Sequence, residues 1–325
     1  MDGAFQEAES HGIAGALPQC ALLPFATRFK AMGGTNEIAI FARDHATASL
    51  ALAAAAHEVL RIEFKYSRYR RDSVVSQINA NAGLPDVTAC DPETLRLLSY
   101  ADHFYKLSGG LFDVTSGVLR RAWDFKTPRL PEPETLAPLL ALVEWERVER
   151  SPAGIRLPLR GMEIDFGGIG KEYAADRAAG VLVDHGIGHG YVNLGGDIAV
   201  AGPQPDGAPW PIGVQNPSQR GTVMAHIPLA RGGLTTSGDA ERYFELGGKR
   251  YCHILSPKTG MPVAHWASVS VAADSALAAG ALSTIAMLKE AGGIAFLRHQ
   301  AKSFFAVDTN GQIFLNQKNT QENPS

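Results

Sequence analysis

The residues best suited to chemistry are one histidine, two aspartates and several runs of small hydroxyl and glycine residues. His253 follows Arg250-Tyr251-Cys252 and precedes Ile254-Leu255-Ser256-Pro257-Lys258-Thr259-Gly260. Proline cannot continue a β-ladder, so a strand expected over Arg250 to Leu255 ends there, with the imidazole near its exit. A neutral imidazole in that position can accept a proton near pH 7. Gly247-Gly248 predicts the hairpin turn that pairs this strand with Tyr243-Phe244-Glu245-Leu246. Thr235, Thr236, Ser237, Gly238 and Asp239 read as a small-residue turn leading into the hairpin. Their hydroxyls suit bonds to backbone and ligand better than nucleophilic attack.

Two further loops carry an aspartate. Ile164-Asp165-Phe166 passes through Gly167-Gly168-Ile169-Gly170 into a helix expected from Lys171 to about His185. Backbone N–H groups at such a helix start suit a phosphate. The glycines would equally serve close packing of helix on strand, and the pattern is neither GxGxxG nor GxxxxGK[ST]. Gly110 to Gly117 (GLFDVTSG) places Asp113 among small groups, either in a site or as a capping residue. Tyr66 and Tyr69, flanked by Arg68 and Arg70, could stack on a ring system or form a half-buried surface. His185 and His189 are four apart, but Gly186, Gly188 and Gly190 make a helical ligand pair a poor reading. No HExxH and no GxSxG elbow occurs.

The elements that must position these groups have clear local signals. Thr35 to Ala42 alternates as a strand, and the alanine-rich run Ala46 to Phe64 predicts a helix. Asp72-Ser73 can cap a short helix. Asp91-Pro92-Glu93 starts another, which should stop at Gly109-Gly110. Short strands are expected around Pro152-Ala153-Gly154, at Tyr191 to Leu194, Ile212 to Gln215, Val223 to Pro228 and Ser268 to Ala272, with a helix from Asp274 to Lys289. Asn310-Gly311 predicts a closing hairpin. Strands come in adjacent runs rather than in βαβ alternation, which predicts an α+β fold.

Composition narrows the class. A net charge of -3 over 325 residues gives no electrostatic case for nucleic acid or anionic membrane. Cys20, Cys90 and Cys252 are odd in number and far apart, so neither a disulfide framework nor a CxxC site is expected. The N-terminus begins with acids and lacks a basic stretch before its short apolar pieces, which predicts no export signal, no membrane anchor and a cytoplasmic chain, with the periplasm as the alternative.

Taken in order, the loops resemble those of the ApbE family of flavin transferases. The matching segments are Met32-Gly33-Gly34-Thr35, Ser67 to Ser73 (SRYRRDS), Gly110 to Gly117 with Trp123, Asp165 to Lys171 with Tyr173 and Asp176, Asn193 to Asp197, Thr236-Ser237-Gly238 and His253 to Gly260. The resemblance implies a single compact unit over about residues 28 to 315, between an N-terminal extension (1 to 27) and a polar tail (316 to 325). Mostly antiparallel sheets would pack with helices in two subdomains around a flavin cleft. It implies an FAD:protein FMN transferase that cleaves FAD, attaches FMN to a Ser or Thr hydroxyl of a target flavoprotein and releases AMP. The partners implied are therefore FAD and a flavin-acceptor protein. Met32, Tyr69, Leu111, Phe112, Asp113, Asp165, Lys171 and Leu255 would line the FAD site, together with Thr236, Ser237 and Gly238. A carbonyl near Gly168 and the hydroxyl of Thr284 would face Mg²⁺, and His253 would be the base.

The chain departs from the family pattern at two carboxylates and one glycine. Where the metal helix of the family reads A-D-A-x-x-T, this chain has Ala279-Gly280-Ala281-Leu282-Ser283-Thr284, and Ser256 replaces an aspartate after the histidine. Glu172 stands where the family has glycine. These changes imply a weakened or altered Mg²⁺ site, since neutral oxygens alone hold the ion poorly. Asp274 lies about one and a half helical turns before Gly280, too far round to substitute, whereas Asp165 or the FAD phosphates could help hold an ion. Restoring aspartate at 280 is then expected to strengthen Mg²⁺ dependence. The alternatives are a flavin-binding protein of the same fold without transfer, and an FAD pyrophosphatase.

Overall fold

A computed structural model describes residues 21–219, 221–239 and 243–317. The expectations for the N-terminal twenty residues, including Cys20, and for the tail beyond 317 lie outside the described residues. The chain opens with the hairpin β1 (Leu23–Ala31) and β2 (Gly34–Ala42), then α1 (His45–Tyr66), α2 (Val74–Ala80), β3 (Thr88–Ala89) and α3 (Pro92–Ser108). A 3-10 segment, Val114–Arg121, leads to α4 (Pro133–Leu140), β4 (Glu149–Ser151), β5 (Gly154–Arg156) and α5 (Gly170–Asp184). Strands then dominate: β6 (Gly190–Leu194), β7 (Asp197–Gly202), β8 (Trp210–Gln215), β9 (Val223–Leu229), β10 (Gly232–Gly238), β11 (Tyr243–Leu246), β12 (Lys249–Cys252) and β13 (Trp266–Ala273). Finally come α6 (Ala276–Leu288), α7 (Gly293–Gln300), β14 (Ser303–Asp308) and β15 (Ile313–Gln317).

Local chemistry accounts for most boundaries. Asp44, Ser73, Asp91 and Ser275 each cap a helix by accepting a backbone N–H, from Thr47, Ser76, Thr94 and Ala278 respectively. Gly109 closes α3 in the left-handed region with φ 71°. The β1–β2 hairpin turns at Met32-Gly33, both with positive φ (53° and 76°), a conformation that glycine adopts freely and methionine does not. β1 begins at Leu23, so residues 23–27 belong to the sheet and not to an extension before it.

An eight-stranded antiparallel sheet runs in the order β1-β2-β6-β7-β10-β13-β14-β15. One face packs on α1, α5 and α6 around Ile38, Ile40, Ala175, Ala178, Val192 and Ile285. The β8–β9 hairpin covers the opposite face through Ile212, Val214, Ile227 and Leu229 against Ile198, Val200 and Leu234. α6 is apolar or small along its whole length and accordingly buried on all sides. Mixed helices and antiparallel sheets are the α+β class expected.

Two expectations are corrected. Thr235 to Gly238 is not a turn but most of β10, an interior strand paired with β7 and β13. Small residues there mark close packing by α6, not a change of chain direction. The strand before His253 ends at Cys252, because Ile254 and Leu255 leave the ladder for a loop closed by the Leu255–Pro262 bridge.

Candidate active site

Three loops converge on Asp165. The preceding residue is fixed by Asn79, which accepts from the Ile164 N–H at 2.7 Å and donates to its carbonyl at 3.0 Å. The Asp165 N–H donates to the Val114 carbonyl at 2.9 Å, and the Asp165 side chain lies where a β-carbon on Gly117 would fall. Its carboxylate accepts from the Gly167 N–H at 2.9 Å and is ion-paired with Arg68. Arg68 also donates to the Tyr69 hydroxyl at 2.8 Å, with its guanidinium 4.9 Å from that ring. Tyr69 therefore presents an exposed ring beside Asp165. Tyr66 does not pair with it: that side chain is core, edge-on to Phe166 at 5.6 Å.

Past Asp165 the chain enters α5. Gly168 sits against the buried Phe112 ring, which would be 3.3 Å from any β-carbon there. Asp113 is committed locally, accepting from the Thr115 N–H at 2.8 Å, the Thr115 hydroxyl at 2.5 Å and the Trp145 N–H at 3.2 Å. Of the two readings open for this aspartate, the structure gives the capping one, and burial pushes its pKa up. Leu111 turns to a separate apolar hollow of about 620 Å³ beside Leu288 and Phe296. Lys171 pairs with Asp197 at 2.8 Å, just past the Gly195-Gly196 turn. Met32 donates its N–H to Glu63 at 2.8 Å and is half-buried at the hairpin turn.

Strand alternation separates the hydroxyls of β10. Ser237 faces α6, with its hydroxyl 2.8 Å from that of Ser283 and 3.1 Å from that of Thr284. Thr236 faces the other side of the sheet, 2.7 Å from the Ser270 hydroxyl. Gly238 lies against the Ala267 carbonyl, 3.0 Å from where its β-carbon would be. Of these three residues, Ser237 is the one joined to Thr284.

α5 and α6 meet at a contact that local reading of the sequence misses. A β-carbon on Gly280 would lie 2.6 Å from Cγ, 2.7 Å from Oε1 and 2.9 Å from Cδ of Glu172. Glu172 is buried, and its Oε2 accepts no hydrogen bond among the described residues. Burial, reinforced by the charge of Asp197 and opposed by Lys171, pushes its pKa up to about 8. One turn further along α5, Asp176 caps α6 by accepting from the N–H groups of Ala276 (2.8 Å) and Leu277 (2.9 Å). No group of three His, Cys, Asp or Glu side chains gathers as for a metal among the described residues. Asp274 is exposed and ion-paired with Lys302, away from any such role.

The His253 loop docks on the segment after α3. The Gly260 carbonyl accepts from the Trp123 indole N–H at 2.8 Å. The Cys252 thiol donates to the Val263 carbonyl at 3.4 Å, and Leu255 packs beside Val118, Leu119 and Leu136. Lys258 reaches a hollow of about 530 Å³ shared with Tyr105, Gly110 and Asp113. His253 itself is half-buried at the mouth of this loop. His189 lies with its Nδ1 2.8 Å from the Pro203 carbonyl.

An antiparallel sheet backed by buried helices, with polar loops gathered around the Asp165 turn that leads into α5, defines an α+β fold of the flavin-transferase type. The chain belongs to the ApbE family, whose model matches residues 32–306. It is 32% identical to the FAD:protein FMN transferase of Haemophilus influenzae, over 69% of this chain and 68% of that protein. It is likewise 32% identical to the FAD:protein FMN transferase of Treponema pallidum, over 68% and 66% of the two chains. Among solved structures, the ApbE protein of Thermotoga maritima superposes with a TM-score of 0.81 at 31% identity, covering 91% of this chain and 97% of its own. The flavin transferase ApbE of Vibrio cholerae gives 0.80 at 25% identity, with the same coverage.

Proposed function

We propose that this protein is an FAD:protein FMN transferase. The similarity to flavin transferases over 91% of the chain carries this reading, with the Asp165–Lys171 turn as its local support. The acceptor Ser or Thr hydroxyl attacks the phosphorus of the FMN half, the bond to the bridging oxygen breaks, AMP departs, and the hydroxyl proton passes to His253. A neutral imidazole at the mouth of a loop suits that transfer near pH 7. Arg68 holds Asp165 and flanks the Tyr69 ring, so both are presented to the flavin as one unit. The start of α5 offers N–H groups to the diphosphate, with Lys171 in its first turn.

Mg²⁺, when bound, would neutralise the diphosphate and orient in-line displacement. The donors present fit such an ion: the hydroxyl of Thr284, a carbonyl near Gly168 and the buried carboxylate set against Gly280. No described helix is long and apolar enough to cross a membrane.

Purified protein incubated with FAD and Mg²⁺ should release AMP when a flavoprotein bearing an acceptor Ser or Thr is present, with flavin fluorescence appearing on that acceptor. His253→Ala should reduce the rate by about 10²–10⁴-fold while FAD still binds. AMP formed equally without acceptor would make the protein a pyrophosphatase, and none in either case would leave a flavin-binding protein.

A further inference from the structure

Gly280 and Glu172 both depart from the family pattern, and in the fold they are in contact. A side chain built on Gly280 would run into the Glu172 carboxyl group, its β-carbon 2.7 Å from Oε1. A carboxylate therefore stands at the position that residue 280 leaves bare, but it is carried by α5 instead of α6. Glutamate has one more methylene than aspartate, which gives it the reach to cross between the two helices.

The setting of that carboxylate points to a ligand. Glu172 is 7% exposed, and its Oε2 lacks a hydrogen-bond partner among the described residues. Buried polar atoms are nearly always satisfied, and an orphaned one costs stability unless something else meets it. The adjacent Lys171 is paired with Asp197, so two buried carboxylates stand beside one ammonium. Asp176 turns away to cap α6. Thr284 lies four residues beyond Gly280 on α6, one helical turn from the contact, and Gly168 lies in the turn just before α5 begins at Gly170.

We propose that Glu172 is the carboxylate ligand of the divalent cation in this protein, supplied from α5 in exchange for the residue missing at position 280. The proposal rests on the transferase reading above for the presence of a diphosphate substrate, and adds the residue by which this chain holds the ion. A hard cation such as Mg²⁺ or Mn²⁺ would take Glu172, the Thr284 hydroxyl and a carbonyl near Gly168, and complete its shell with water and phosphate oxygens. Aspartate restored at 280 alone would collide with Glu172, which reverses the expectation from sequence.

The test is Mn²⁺ binding to the whole purified chain without FAD, followed by the paramagnetic resonance of free Mn²⁺ and by the rise in thermal midpoint with Mg²⁺. Wild type should bind Mn²⁺ and be stabilised by Mg²⁺. Glu172→Gln, which keeps the shape and removes the charge, should weaken Mn²⁺ binding at least tenfold and abolish the Mg²⁺ stabilisation. Gly280→Asp should bind no more tightly than wild type, whereas Glu172→Gly with Gly280→Asp should recover affinity to within about threefold. Wild type that binds no Mn²⁺, Glu172→Gln within twofold of wild type, or tighter binding by Gly280→Asp alone would each overturn the proposal. Mn²⁺ binding lost in Glu172→Gln alongside no AMP release from wild type would sink the transferase reading and leave the ligand assignment standing. Acceptor-dependent AMP with unchanged Mn²⁺ affinity in Glu172→Gln would do the reverse.

Discussion

The Glu172 carboxyl oxygen lies 2.7 Å from where a β-carbon on Gly280 would sit, so α5 and α6 have room for one substituent at this contact. The two positions are coupled by volume as well as by charge. Alanine in place of a helical glycine ordinarily stabilises by about 1 kcal/mol, while overfilling a packed contact costs about 1–3 kcal/mol.

Gly280→Ala is accordingly expected to destabilise the wild-type chain by about 1 kcal/mol, and to stabilise a Glu172→Ala background by about the same amount. Urea unfolding of the four proteins in the cycle measures the coupling. Additive effects at the two positions would show that the contact does not exist in solution.

The ion-pair network at the start of α3 should make part of the stability depend on acid. Glu93 accepts from Arg61, Lys65 and the Tyr173 hydroxyl, tying α3 to α1 and α5. Arg61 foremost, then Lys65 and Tyr173, hold its carboxyl at about 2 against the opposing effect of burial. A carboxyl lowered on folding stabilises above its unfolded value, near 4.5, and that contribution drains away as pH falls towards 2. Glu93→Gln should cost about 2 kcal/mol at pH 7 and almost nothing near pH 2. Unfolding curves at pH 7 and pH 3 that stay equally far apart would refute this.

Arg68 couples the exposed Tyr69 ring to Asp165, so its removal should loosen the proposed flavin site more than the fold. Arg68→Ala is expected to raise the Kd for FAD about tenfold, or about 1.4 kcal/mol. Flavin fluorescence quenching measures it, and an unchanged Kd would separate this pair from the ligand.

Much of the frame was readable locally. Asp91-Pro92 and Gly109 bracket α3, Ser73 caps α2, and Gly247-Gly248 and Asn310-Gly311 turn their hairpins, because caps and turns depend on residues a few positions apart. Pro257 predicts a strand running to Leu255 with His253 inside its end, whereas the ladder stops at Cys252 and leaves His253 just past it. The ordered loops also pointed to the family, since each motif is short and keeps its order along the chain.

Tertiary structure alone decided the rest. Thr235 to Gly238 is composed like a turn, yet becomes a strand because β13 pairs with it along its length and α6 packs on Ser237. Tyr66 and Tyr69 look equivalent in sequence, but the helix α1 ends between them, leaving one ring in the core and the other in solvent. Asp113 was open between cap and site until Thr115 and Trp145 took its oxygens. Glu172 and Gly280 each read as an isolated departure, since nothing within either helix registers what the other carries. Packing of α5 on α6 makes them one feature, because two helices in contact share a single volume at the point where their surfaces meet.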